Sequence, residues 1–452
     1  MFNMPRYLVR TYQNLKYKRE FNRRIGKLNS HDYLITSNAL DLNVIILAID
    51  CLRNSQLSYN GYIRKTTPFL DSFGLKFKAI TSSCWTYPAV ASMLTGLYPH
   101  NHNAMIGGKV KNFDRAGKLC PISEDILTLP ELLGLLKYRV YFGAAIDLAF
   151  YPFRGRVVPK LYNNLIMAKD VLIDFLKWIR KSDGRFFAYL HLGDLHVPLN
   201  PPDDFKDYFG KVKNLQLINS FDFRRPEEQR GDGLDEYRAN RVLLYDNALR
   251  YVDSAIEGLH RNLEDLGLLD STVFVITADH GEEFWEHADT EAKNFYDPRG
   301  YYGVGHGHNV FNEIIEVPLL ISAPGIHCNK SRFAVSTVDI MPTVLNLLGV
   351  EHNLKFDGCN IFDDLSSRFL LCEAMGYGYE KKVLIIGNLK LIYSPEDGVA
   401  WLFDLSKDPE ELHPITDGNI LSDMLDILST IYTSDEKKRI RDTIKRKRLS
   451  TV

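Results

Sequence analysis

Apolar residues gather in five short continuous runs, at residues 43–49, 140–146, 186–190, 273–276 and 317–321. Runs of that length without alternation suit strands covered on both faces, as in a parallel sheet. Helical periodicity fills the spaces between them, at residues 129–137, 168–181 and, longest, about 235–266. In the last of these, Leu243, Leu244, Ala248, Tyr251, Val252 and Ala255 share one stripe. A shorter strand at 75–79 leads into residues 81–96, TSSCWTYPAVASMLTG, where a helix is expected to begin near Ala89. Strands alternating with helices predict an open, mostly parallel α/β sheet with helices on both faces. Past Gly349 the pattern shifts to shorter pieces at 382–386, 390–393 and 401–405, which predict a small antiparallel subdomain. The chain therefore divides into a basic extension (1–40), a main α/β domain (41–350), a small subdomain (351–433) and a basic tail (434–452), helical over about 435–448.

Composition adds what the pattern cannot. The 452 residues are 45% hydrophobic and 25% charged, as in globular proteins. The net charge of -2 hides a segregation: residues 1–28 carry eight Lys or Arg against Glu20 alone, and residues 435–452 carry eight more against three acidic residues. With those ends set aside, 39 basic and 53 acidic residues remain. A body so acidic excludes a nucleic-acid groove. Residues 5–28 could instead form an amphipathic helix, with Tyr7, Leu8, Leu15 and Tyr17, that makes peripheral contact with an anionic membrane. No apolar run is long enough to span a bilayer, and no apolar leader precedes the first strand. The six cysteines show no C-x-x-C pair, so a disulfide framework is not expected and a cytoplasmic protein is.

In an open α/β sheet ligands bind outside the carboxyl ends of the strands. Asp50 follows the first run, His191, Asp194 and His196 the third, and Asp279 and His280 the fourth. One Asp after a strand is ordinarily a helix cap. Three strands that deliver carboxylates and imidazoles to one edge predict chemistry there. Thr86, at a strand-to-helix junction, either caps its helix or presents a hydroxyl beside amides that favour an anion.

Taken in order, these segments resemble the sulfatase family of the alkaline phosphatase superfamily, from residue 43 to about 411. The resemblance is carried by Asp50 and Arg53 after the first strand, and by Thr86, Pro88, Ser92, Thr95, Gly96, Pro99 and His100 in the nucleophile segment. It continues through His191, Asp194, His196 and Pro198, then Asp279, His280, Gly281 and Glu282, then Gly305, His306 and Gly307. Asp339, Pro342 and Thr343, and later Asp404, Asp408 and Pro409, close it. What the resemblance implies is one divalent metal ion (Ca, Zn or Mn) held by Asp50, Thr86, Asp279 and His280. Thr86 would be the nucleophile, and His196 and His306 would contact the transferred group or assist the leaving oxygen. Arg53, His191 and His308 would offer further substrate contacts. The implied activity is hydrolysis of a sulfuric or phosphoric ester through a covalent intermediate on Thr86, the substrate being a small molecule, a glycan or a lipid-linked compound. The residue types suit this, because a divalent cation activates an otherwise poor hydroxyl nucleophile and histidines offset charge on the leaving oxygen.

Three departures shape the expectation. Thr86 stands where the family carries a Cys or Ser converted to formylglycine, and Val90 where it carries an Arg, so conversion is not expected. Cys51 replaces a second acidic residue, leaving a set better suited to zinc or manganese than to an oxygen cage for calcium. Residues 144–147, AAID, lack the Lys and His that the family places there for sulfate. Two rivals follow: a transferase to an alcohol or glycan acceptor, and a catalytically degenerate sulfatase fold that only binds. Glu282 and Glu283 are expected in a solvated loop.

Overall fold

The protein is described here from a computed structural model, over residues 6–27, 40–115, 119–163, 165–181, 183–213, 232–326, 334–366, 368–432 and 440. The basic helix expected over 435–448 lies outside the described residues, apart from Ile440. Eight strands form the main sheet: β1 (Asn43–Ile49), β2 (Leu75–Ile80), β3 (Arg139–Ala144), β4 (Pro159–Leu161), β5 (Phe186–Leu192), β6 (Thr272–Thr277), β7 (Glu316–Ser322) and β8 (Val335–Ser336). Their order is β8-β2-β7-β6-β1-β5-β3-β4, and β7 alone runs against the others. The unbroken apolar runs have a direct cause. β1 sits at the centre between β5 and β6, and every residue of all three strands is buried.

Register decides what happens at the carboxyl edge. Ala48 of β1 lies opposite His191 of β5 on one side and Thr277 of β6 on the other. Asp50, His191 and the residues after Thr277 therefore leave the sheet together. At the opposite edge Asn43 staples the same three strands: its amide donates to the Ser271 carbonyl at 3.2 Å and accepts the Phe186 N–H at 3.1 Å.

The helices include α1 (Arg6–Lys27), α2 (Thr86–Thr95), α3 (Leu129–Leu135), α4 (Ala168–Ile179), α5 (Asp232–Asp265), α6 (Ile340–Leu347) and α7 (Gly418–Ile431). On α5 the expected stripe is buried at Leu244, Ala248, Tyr251 and Val252, with Leu243 and Ala255 at its margin. α2 starts at Thr86 rather than near Ala89. α1 lies on the body: Tyr17 meets Phe150 edge-on at 5.2 Å, and Phe21 and Ile25 pack over Gly134. Arg24 bonds the buried Glu131 of α3, and reaches Glu124 at 2.8 Å. The apolar side chains that α1 could offer to lipid, over its described half, are thus spent on the protein. No helix among the described residues is long and apolar enough to cross a membrane.

A second, antiparallel sheet comprises β9 (Phe369–Cys372), β10 (Lys382–Ile386), β11 (Leu389–Ser394) and β12 (Val399–Asp404), with α7 packed on β11 and β12. The segment after β9 returns to the main domain. Glu373 N–H donates to the Ser82 carbonyl at 3.0 Å, and the Trp85 indole donates to the Ala374 carbonyl at 2.6 Å. Between β6 and β7 a long loop is braced by His287, whose Nδ1 donates to Glu313 at 2.7 Å and Nε2 to the Glu410 carbonyl at 2.9 Å. Burial alone would lower this imidazole's pKa, but the Glu313 bond and the surrounding carboxylates push it up to about 9.

Two outcomes follow from these braces. Asn43→Leu leaves the buried Phe186 N–H and the partly buried Ser271 C=O without this partner and lowers stability by about 1–3 kcal/mol in urea unfolding; an unchanged midpoint would show that the staple contributes nothing. A group whose pKa is raised on folding stabilises fully below its unfolded value, and that contribution is lost as pH rises. Stability is therefore expected to decline between about pH 6.5 and the His287 value of about 9. His287→Gln should flatten that part of the pH–stability curve.

Candidate active site

The end of β1 presents Asp50, and the next residue, Cys51, takes a left-handed backbone with φ 60°. Tyr245 of α5 holds this turn: its hydroxyl donates to the Cys51 carbonyl at 2.7 Å and accepts the Arg53 N–H at 3.0 Å. His191 Nε2 donates to Asp50 at 3.0 Å, while its other nitrogen meets the Tyr189 hydroxyl at 2.8 Å. Across the edge, Asp279 lies 3.8 Å from His191 and 3.4 Å from Nε2 of His280. His280 Nε2 is also 3.6 Å from Asp50 and 3.2 Å from the Thr86 hydroxyl. All of these side chains except that of Thr86, at 2%, have no solvent exposure. Gly281 is required by space, since a Cβ there would stand 2.1 Å from the Glu313 carbonyl oxygen.

Protonation follows from the partners. His280 Nδ1 lies 2.8 Å from the Gly281 carbonyl, which can only accept, so the proton sits on Nδ1. Burial holds the His280 pKa below its usual value, against the pull of the carboxylates. Its Nε2 lone pair therefore faces two carboxylates. Burial raises the Asp279 carboxyl, and the charge on Asp50 adds to that. For Asp50 burial acts in the same sense but is outweighed by the His191 bond and the nearby imidazoles, which keep it well below the carboxylate range. Asp279 Oδ2 is buried with no hydrogen-bond partner. Two carboxylates, an imidazole lone pair and a hydroxyl that converge without enough donors are a donor set for a divalent cation.

Thr86 is the first residue of α2, and the capping position belongs to Trp85, which makes no side-chain cap bond. The Thr86 hydroxyl is thus turned to the His280 side rather than spent on the helix. It lines a cleft of about 860 Å³ together with His196, His306 and Glu282. His306 Nδ1 donates to Glu282 at 2.7 Å, and its ring centroid lies 4.2 Å from that of His280 and 5.3 Å from that of His196. Burial would raise the Glu282 pKa, but His306, with Arg241 behind it, holds it down at about 2. Cys51 Sγ lies 3.0 Å from Asp50 and 3.5 Å from His306.

None of the three further substrate contacts expected lines the cleft, and His191 is buried and spent on Asp50 and Tyr189. Arg53 donates to the Glu282 carbonyl at 3.0 Å and to Glu286 at 2.9 Å, and lines a separate groove behind the site. His308 is buried against Glu283 at 3.2 Å and Glu291 at 3.3 Å. Gly307, at φ 84°, turns the chain between His306 and His308 so that the two imidazoles part. Glu282 and Glu283 are both buried, contrary to the solvated loop expected. Tyr189 and Tyr245 joined the site without a sequence expectation, and Glu282 joined it against one. The signal for Glu282 was its place in the segment Asp279, His280, Gly281, Glu282 that carries the resemblance.

A family model described as Sulfatase matches residues 42–350. Arylsulfatase K of Xenopus laevis is 31% identical over 440 residues, 82% of this chain and 78% of that protein. The extracellular sulfatase SULF-1 homolog of Drosophila melanogaster is 25% identical over 373 residues, 72% of this chain but 31% of that protein. Bovine arylsulfatase K is 32% identical over 168 residues, 28% of its length, so the match spans about a third or less of these last two relatives. Among solved structures, the phosphonate monoester hydrolase of Agrobacterium radiobacter superposes with TM-score 0.63 at 16% identity, covering 86% of this chain and 94% of that one. A protein solved with its substrate D-glucosamine-2-N,6-O-disulfate gives TM-score 0.64 at 17% identity, with 89% and 99% covered. Those two likenesses are of fold. By the match of its family model over more than half its length, the chain belongs to the sulfatase family.

Proposed function

We propose that this protein is a metal-dependent hydrolase of sulfuric or phosphoric esters with Thr86 as nucleophile. The observation that carries this is the Thr86 hydroxyl, 3.2 Å from His280 Nε2 and beside the partnerless Asp279 oxygen, at the floor of an open cleft. Asp50, Asp279 and His280, with Thr86, would hold the cation, which lowers the pKa of a coordinated hydroxyl and draws charge from an ester oxygen. The Thr86 hydroxyl gives up its proton to water in the open cleft as Oγ1 attacks sulfur or phosphorus, and the bond to the leaving oxygen breaks on the opposite side. His196 or His306 supplies that oxygen's proton. Glu282 orients His306 by accepting its Nδ1 proton at 2.7 Å. Water then cleaves the Thr86 ester and restores the hydroxyl.

Thr86 inclines the proposal toward phosphoric esters. A formylglycine hydrate can expel sulfate by collapsing to the aldehyde, and a threonine ester has no such route. The glycan and aryl groups named for the relatives define the substrate panel. Aryl phosphate, aryl phosphodiester and aryl sulfate turnover should each be measured for wild type and Thr86→Ala. The variant should lose about a thousandfold or more in kcat on whichever ester is the substrate; full retention would remove Thr86 from the mechanism.

Metal analysis supplies an independent outcome. The purified protein is expected to carry a stoichiometric divalent ion, and Asp279→Asn to lower its affinity by about tenfold or more. Chelation should lower the unfolding midpoint of wild type and leave that of Asp279→Asn little changed. Absence of any bound divalent ion would favour a fold that only binds.

A further inference from the structure

Beside the cleft, a groove of about 550 Å³ lies between α1 and residues 154–156. Six of its ten lining residues are basic and two are acidic, the reverse of the acidic body around it. Two of the six are committed, because Arg24 and Arg156 both hold the buried Glu131. The other four, Lys16, Arg23, Lys27 and Arg154, are exposed. Lys16 reaches Glu20 at 3.9 Å, and no carboxylate among the described residues pairs with Arg23, Lys27 or Arg154. The groove also adjoins the cleft. The Arg154 guanidinium lies over the Tyr151 ring at 4.3 Å, and Tyr151 lines the cleft that holds Thr86.

We infer that this groove is an accessory binding site for the anionic chain of a polymeric substrate that bears several sulfate or phosphate groups. One group would sit over Thr86 while its neighbours along the chain pass Tyr151 and lie on Arg154, Arg23 and Lys27. A concave row of exposed cations on an acidic protein concentrates polyanions and orients them, and its effect falls with salt. A bilayer fits the same charges less well. The groove is concave, and the neighbouring apolar side chains Tyr17, Phe21 and Ile25 are packed on the body. The site serves the ester hydrolase proposed above and rests on that proposal only for the role of the neighbouring cleft.

Binding separates the two. Wild type, the triple variant Arg23→Glu/Lys27→Glu/Arg154→Glu, and a control triple Lys169→Glu/Lys177→Glu/Lys181→Glu with the same charge change on and just after α4 would be titrated with fluorescent dextran sulfate. They would also be sedimented with vesicles of phosphatidylcholine and phosphatidylserine. Wild type and control should bind dextran sulfate in a salt-sensitive manner, and the groove variant about tenfold or more weakly. Turnover of a small aryl ester should stay within about twofold in all three, since none of these residues touches the reacting atoms. Equal dextran sulfate binding by the two triple variants would overturn the site, as would binding to vesicles without binding to dextran sulfate. A protein that binds the polyanion through the groove but cleaves no ester would sink the hydrolase and leave the groove standing.

Discussion

The structure turns on a concentration of lone pairs that the protein does not neutralise by itself. Asp50, Asp279 and the unprotonated nitrogen of His280 face one another without solvent, and one Asp279 oxygen meets no donor. Burying an ionised carboxylate costs several kcal/mol unless it is compensated. Much of the surrounding architecture restrains this arrangement. Tyr189 and His191 brace Asp50 from below, Tyr245 fixes the turn at Cys51, and the carbonyl of Gly281 sets the tautomer of His280. A rigid sheet is suited to such a burden because its strand ends cannot move apart independently.

The main sheet was legible because burial on two faces leaves an unmistakable trace. The runs now seen as β1, β5 and β6 carry no polar alternation, and a central parallel position is the arrangement that tolerates that. Their following residues could be grouped at one edge for the same reason: parallel strands share a carboxyl end. β9 and α7 left weaker traces. β9 is four residues long, and the other three strands of its sheet were legible without the helix that covers them.

Side-chain destinations were less legible than backbone positions. Arg53 sits three residues after Asp50, yet its partner Glu286 lies 233 residues away and draws it out of the cleft. His306 and His308 look interchangeable in a row of letters. One positive φ at Gly307 sends the first to the cleft and the second into a buried ionic cluster. Glu282 was hidden by its neighbours, since two adjacent acids ordinarily mean solvent. Here each is met by an imidazole from the same short ribbon. Such assignments depend on contacts that no local pattern encodes.

The indole of Trp85 has a mechanical consequence. Trp85 precedes the proposed nucleophile, and its indole N–H is held by the Ala374 carbonyl in the segment after β9, while Gly376 of that same segment donates to Gly307 at 2.9 Å, next to His306. The proposed nucleophile and the imidazole proposed to aid departure are therefore both tethered to the segment that follows β9. Any tilt of that segment would shift both at once, so the spacing between them is preserved when the smaller sheet moves.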